Sequence, residues 1–268
     1  MICDRYETGT PVVLAVPHAG RDYPDDIVEA LAVPLVCARI LEDRHADALI
    51  ATAIKRGQSA LIARVPRLVI DLNRAESDLD HRLGLPVSAR ARAGIGLLPM
   101  RVAGVGDLWR VPPGRDEITR RIEAFHRPYH ATLSAMLRTA RDRHGAALLI
   151  DIHSMPPLPG LRPAQIVIGS RHGASADAPL LAAAANWWRR CGYRIAIDVP
   201  YAGAYVLERH AKRTEGIQAL QLEVDRRLYL DTALERPGLG LAELQANIAR
   251  FASDASAWLA RAVPLAAE

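Results

Sequence analysis

The sequence predicts an α/β protein built as a three-layer sandwich around a mostly parallel, mixed sheet. Short, continuous apolar runs bounded by turn residues read as strands buried on both faces. These runs alternate with longer helical patterns, the order expected of strands joined by crossover helices. Two of the runs, which lead into Val16-Pro17-His18-Ala19-Gly20 and Ile150-Asp151-Ile152-His153-Ser154, end in a histidine. In open α/β sheets ligands sit in the crevice outside the carboxyl ends of the strands, so both imidazoles fall where chemistry is expected.

In chain order the strand-like runs are Val12–Val16, Ala60–Ala63, Leu68–Asp71, Ala147–Ile152, Gln165–Ile168, Arg194–Val199 and Ala219–Val224. Helical patterns occupy about 25–33, 43–56, 115–143, 176–191 and 240–262. The third helix stops at His144-Gly145, a basic residue followed by glycine. Pro128 is expected to kink or divide that helix, because its ring removes a donor and collides with the preceding turn. Residues 75–114 are rich in Gly, Pro and Arg without sustained periodicity, and read as an irregular connection that forms part of a pocket wall. Without a repeat, a low-complexity tract or a linker, residues 1–268 are expected to form a single domain.

About half of the 268 residues are apolar, enough for a sizeable core. The charge of +4 is scattered along the chain, only Lys55 and Lys212 are lysines, and aromatic residues are 5% of the total. That pattern argues against nucleic acid, which needs basic clusters and stacking platforms. No stretch approaches the ~18 uninterrupted apolar residues of a membrane span, and the polar start lacks a signal-peptide core. Cys3, Cys37 and Cys191 are scattered, which argues against both a disulfide framework and a thiolate metal site. A reducing cytoplasm is the expected compartment.

His18 and His153, delivered from separate strands, could share one metal ion, although a lone strand-end histidine is more often an ordinary polar loop residue. A third ligand could come from Leu41-Glu42-Asp43-Arg44-His45-Ala46-Asp47, read as opening the second helix, where Glu42 and Asp43 could equally cap the helix and complement its dipole. Alternation along Ala219–Val224 puts Leu220, Leu222 and Val224 on one side and Glu223 on the other. A carboxylate there suits a general base. Arg74, in the Asp71-Leu72-Asn73-Arg74 run, could grip a substrate carboxylate or form an ion pair with Asp71 or Asp78. Among the other histidines, His126 and His130 have helical spacing, but Pro128 between them is expected to spoil the helix. His81 and His172 sit in polar turns, and His144 ends a helix. His210 lies in the loop before the Glu223 strand and could line the pocket. Gly94-x-Gly96 and Gly104-x-Gly106 lack the strand–helix context of a phosphate loop, and no Gly-x-Ser-x-Gly elbow is present.

Taken together, Pro17-His18-Ala19-Gly20 with Tyr23-Pro24, Glu42-Asp43-Arg44-His45-Ala46-Asp47, Val69-Ile70-Asp71-Leu72-Asn73-Arg74, Arg127-Pro128-Tyr129-His130, Leu149-Ile150-Asp151-Ile152-His153-Ser154-Met155 and Leu220-Gln221-Leu222-Glu223-Val224 resemble the N-formylglutamate amidohydrolase family, in family order from about residue 12 to 230. The resemblance implies a phosphorylase/hydrolase-like fold related to zinc carboxypeptidases and aspartoacylases. It implies Zn²⁺ held by His18, Asp43 and His153, with Glu42 as a substitute for Asp43, and Glu223 as catalytic carboxylate. Iron, cobalt, nickel or manganese would suit the same donors. Asn73 and Arg74, helped by His45, Arg110 or His210, are the implied contacts to a small acidic N-acyl amino acid. The segment Pro200–Tyr205 with Arg209-His210-Ala211 and the tract around 75–110 depart from the family pattern. The implied reaction is removal of an N-formyl or other N-acyl group. A carboxypeptidase-like or aspartoacylase-like hydrolase acting on a peptide or N-acetyl amino acid is the alternative, and a binding protein without turnover is the reading from another class. A homo-oligomer is open.

Overall fold

The structure, a computed structural model, describes residues 2–79 and 96–262. His81 and Gly94 lie outside the described residues, as does the middle of the 75–114 tract. A seven-stranded sheet has the order β1-β3-β2-β6-β9-β7-β8, formed by β1 (Cys3–Tyr6), β2 (Val12–Val16), β3 (Ser59–Ala63), β6 (Ala147–Met155), β7 (Ile166–Gly169), β8 (Ile195–Ile197) and β9 (Ile217–Asp225). β2 runs parallel to β6 and β6 parallel to β9, whereas β7 is antiparallel to β9 and parallel to β8. The mixed, mostly parallel sheet with flanking helices is therefore the expected α/β architecture. Every residue of β2, β3 and β6 is buried, which explains why those sequences read as continuous rather than alternating apolar runs.

By backbone contacts the chain divides into two compact units, one of Met1–Asp4, Pro17–Asp43 and Ile62–Thr132, the other of Arg5–Val16, Arg44–Leu61 and Leu133–Glu268. The first holds the short helices α1 (Asp25–Glu29) and α2 (Leu35–Ala38), the two-stranded ribbon of β4 (Arg101–Val102) and β5 (Gly106–Asp107), and α5 (Arg115–Arg121). Gly104 (φ 78°) lies in the turn of that ribbon and Gly106 (φ 107°) opens β5, both in a conformation that glycine adopts without strain. The second holds α3 (Ala46–Leu49), α4 (Ala51–Lys55), α7 (Ala178–Arg190), α8 (Tyr205–His210) and α9 (Leu241–Ala262), with α9 packed on α4 and β6. Asp177 caps α7 by accepting from the Leu180 N–H, and Pro179 follows in the first turn.

Four expectations need correcting. Leu68–Asp71 is not a strand but a turn, in which the Val69 N–H bonds the Pro66 carbonyl and the Arg74 N–H bonds the Asp71 carbonyl. Burial of Leu68, Val69 and Ile70 explains the apolar run without any ladder pairing. The second helix does not open at Asp43 but at Ala46, because Glu42 is extended and His45 is left-handed (φ 56°). His210 is not in a loop; it ends α8. The helix around Pro128 is not broken. α5 continues through one π-helical turn, Ile122–His126, into α6 (Arg127–His144). The widened turn lies over the residues that the proline ring would otherwise strike, so His126 and His130 both stay helical and buried, with ring centroids 4.4 Å apart.

Candidate active site

In the first unit, Pro17 and His18 follow β2, and Gly20 packs so tightly that a Cβ there would meet the Val65 carbonyl backbone. The Asp43 N–H donates to the His18 carbonyl at 3.2 Å, which ties the two segments together. His18 Nε2 lies 2.7 Å from Asp71 Oδ1, and Nδ1 lies 3.5 Å from Asp43 Oδ2. All three residues are buried.

Asp71 is the hub of this group. Its Oδ1 also accepts from the Asn73 N–H at 2.8 Å, and Oδ2 accepts from Arg67 Nε at 2.8 Å, with Arg74 Nε at 3.8 Å. Burial opposes ionisation of Asp71, but Arg67, His18 and Arg74 outweigh it and hold the carboxyl well below the usual carboxylate range. An ionised carboxylate only accepts, so His18 Nε2 carries the proton and, in the neutral ring, Nδ1 presents its lone pair toward Asp43. Arg74 folds back on its own turn, with Nη1 donating to the Asn73 carbonyl at 2.8 Å, and His126 Nε2 donates to the Arg74 carbonyl at 2.9 Å.

In the second unit, the parallel register of β6 and β9 sets Asp151 opposite Gln221 and His153 opposite Glu223. Residues two apart share a face, so all four side chains line one side of these strands. His153 Nε2 lies 2.9 Å from Asp151 Oδ2, and Gln221 Nε2 donates to Glu223 Oε1 at 2.9 Å. Each histidine thus has Nε2 held by a buried carboxylate, the usual way of fixing the ring of a metal ligand.

One potential ligand atom from each of His18, Asp43 and His153 lies within 4.8 Å of the other two. Two imidazoles and a carboxylate are the donor types of three-ligand hydrolase centres, so this buried cluster could hold a metal ion. Glu42 is not in it; Oε1 accepts from the Tyr23 hydroxyl at 2.6 Å. His45 Nε2 donates to the Glu235 carbonyl at 3.1 Å, Arg110 is exposed, and His210 is buried at the end of α8. Sequence reasoning gave no role to Asp151 or Gln221 and discounted His126 on account of Pro128. The first two were detectable from their i, i+2 spacing to His153 and Glu223; His126 ends the π turn and reaches the Arg74 carbonyl across 52 residues of sequence, which no local spacing signals.

Fold and cluster together define a class, an α/β protein whose buried His/His/Asp donors could hold a metal. The model of the N-formylglutamate amidohydrolase family matches residues 10–230, and the chain belongs to that family. The chain is 30% identical over 231 residues to an N-formylglutamate deformylase of Pseudomonas putida, covering 82% of each, and 29% identical over 233 residues to one of Pseudomonas aeruginosa. It matches the crystal structure of N-formylglutamate amidohydrolase from Ralstonia eutropha JMP134 with a TM-score of 0.90 and 28% identity, over 98% of this chain and 99% of that one. The gene product Atu2144 of Agrobacterium tumefaciens, at 18% identity and a TM-score of 0.71, shares the fold. The chain is accordingly a hydrolase acting on an amide bond. Among the described residues, no helix is long and apolar enough to cross a membrane.

Proposed function

We propose that the protein, acting as a single domain over 1–268, hydrolyses the formyl amide of an N-formylated acidic amino acid such as N-formyl-L-glutamate. One observation carries the reading: in a chain of this family, the His18–Asp43–His153 cluster includes a histidine paired in register with a buried glutamate, Glu223. Those three residues would hold a divalent cation, and their His/His/Asp chemistry suits Zn²⁺. Bound there, the ion supplies Lewis acidity, which makes water more acidic and stabilises negative charge on the carbonyl oxygen.

Glu223 takes the proton of the water that attacks the formyl carbon and later gives it to the departing amine as the C–N bond breaks, so formate and the free amino acid leave. Asp71 and Asp151 hold His18 and His153 in the ring orientation that a ligand needs. Arg74 and Asn73 orient the substrate carboxylates, since a guanidinium offers paired donors to both oxygens.

The test is formate release from N-formyl-L-glutamate by zinc-reconstituted protein, with His153→Ala and chelator controls. Release that disappears in both controls is expected. A zinc-loaded protein that releases no formate but frees acetate from N-acetyl amino acids, or amino acids from peptides, would overturn the formyl reading.

A further inference from the structure

We propose that Gln221 is a positioning residue for the proton-transferring carboxylate, holding Glu223 in its working orientation through the Nε2–H to Oε1 hydrogen bond. The proposal rests on the reading of Glu223 as the base.

Gln221 is an unfavourable choice for its place. β9 is buried almost throughout, with Ala219, Leu220, Leu222 and Val224 fully inside, and Gln221 itself is only 3% exposed. A buried amide has two N–H groups and a carbonyl to satisfy, and each left unmade is costly. Among the described residues its side chain has one hydrogen-bond partner, the Glu223 carboxylate, at 2.9 Å. The amide oxygen, Oε1, is buried and meets no hydrogen-bond partner among the described residues; the same is true of Asp151 Oδ1, on the residue opposite in register. On the other side the register partner is Gly169, which has no side chain and whose Cα packs against the Ala202–Gly203 backbone.

The orientation of the amide follows from charge. Turned over, it would set its oxygen against a carboxylate oxygen, so the nitrogen must face Glu223 even though the buried oxygen is then left unsatisfied. An apolar side chain of similar volume would avoid every one of these penalties. What it could not do is donate to Glu223. The amide therefore stabilises one orientation of the base, at the expense of the strand that carries it.

This separates a positioning role from a structural one, because the two predict opposite effects on stability. Gln221→Met and Gln221→Leu should melt at or above the wild-type temperature and keep zinc content and KM. Their kcat should fall about tenfold, the weight of one hydrogen bond to a charged group. In a Glu223→Gln background the same substitutions should cause no further loss, since the group being positioned is already gone. Two apolar variants of different shape are used so that a misfit in one leaves the other to be read. Unchanged kcat, an equal loss in the Glu223→Gln background, or a lower melting temperature in both variants would overturn the inference. If Glu223→Gln alone turns over normally, the reading of Glu223 as base fails, and the inference fails with it.

Discussion

Asp71→Asn isolates one carboxylate that serves both His18 and the Asn73–Arg74 turn. Asp71 Oδ1 takes His18 Nε2 and the Asn73 N–H, while Oδ2 takes Arg67. An asparagine keeps one acceptor but turns an amide N–H₂ toward either the imidazole N–H or the guanidinium, so one of the two contacts becomes donor against donor. Loss of a carboxylate that orients a ligand histidine lowers metal affinity about 10–100-fold, equivalent to about 1.4–2.7 kcal/mol. The side chains of Arg67 and Arg74 are 22% and 11% exposed, so removing the charge also breaks a largely buried ion cluster. That should destabilise the metal-free protein by about 3 kcal/mol, roughly 6–12 °C in Tm at this size. The pH dependence has a definite sign. A carboxyl whose folded pKa is depressed contributes its stability in full above the ordinary value of about 3.9 and loses it as pH falls through the lower folded value. The gap between metal-free wild type and variant should therefore be complete at pH 7 and close only in strong acid. Competition against a chromophoric chelator measures affinity, and thermal unfolding across pH measures stability. A variant that binds zinc as tightly as wild type and melts at the same temperature at pH 7 would refute the reasoning.

Three other outcomes are expected. Glu223→Gln should retain its zinc while turnover falls at least ~100-fold, the lower end for loss of a general acid–base group; metal analysis beside a formate assay checks both halves. Arg74→Ala should raise KM for N-formyl-L-glutamate by about tenfold or more while kcat changes far less, because a carboxylate contact is made equally in ground and transition states. Gly20→Ala should lower the melting temperature by the equivalent of about 1–3 kcal/mol, since its Cβ would drive into the Val65 carbonyl. A Gly20→Ala protein as stable as wild type would mean that the turn after His18 can relax.

The strands that carry His18, His153 and Glu223 were legible because burial on both faces imposes its own pattern, a short continuous apolar run. β1 was not, for the opposite reason: Cys3-Asp4-Arg5-Tyr6 is an edge strand, and its pairing is decided by the neighbour it lies beside rather than by its own composition. Leu68–Asp71 misled because burial alone makes a segment apolar, whether or not it joins a sheet. Pro128 was read as kinking or dividing its helix, and the helix instead runs on through a π turn, Ile122–His126. A π turn widens the helix over the residue four before Pro128, where the proline ring would strike, and no local propensity signals that solution.

By itself the sequence determined the alternation of strand and helix, the position of His18 just past the end of its strand and the face on which Glu223 lies, because each of these follows from periodicity along a few consecutive residues; His153, expected just past a strand ending at Ile152, lies inside β6, which runs on to Met155. Only the tertiary structure decided that Asp43 rather than Glu42 joins the two histidines, that Asp71 and Asp151 hold those rings, and that Gln221 faces Glu223. Glu42 and Asp43 are adjacent and chemically alike. A left-handed His45 and a tyrosine hydroxyl from another segment separate them, and neither is written in the local pattern of the pair. Pairwise geometry between distant segments depends on how the whole core closes, and local periodicity carries no information about that closure.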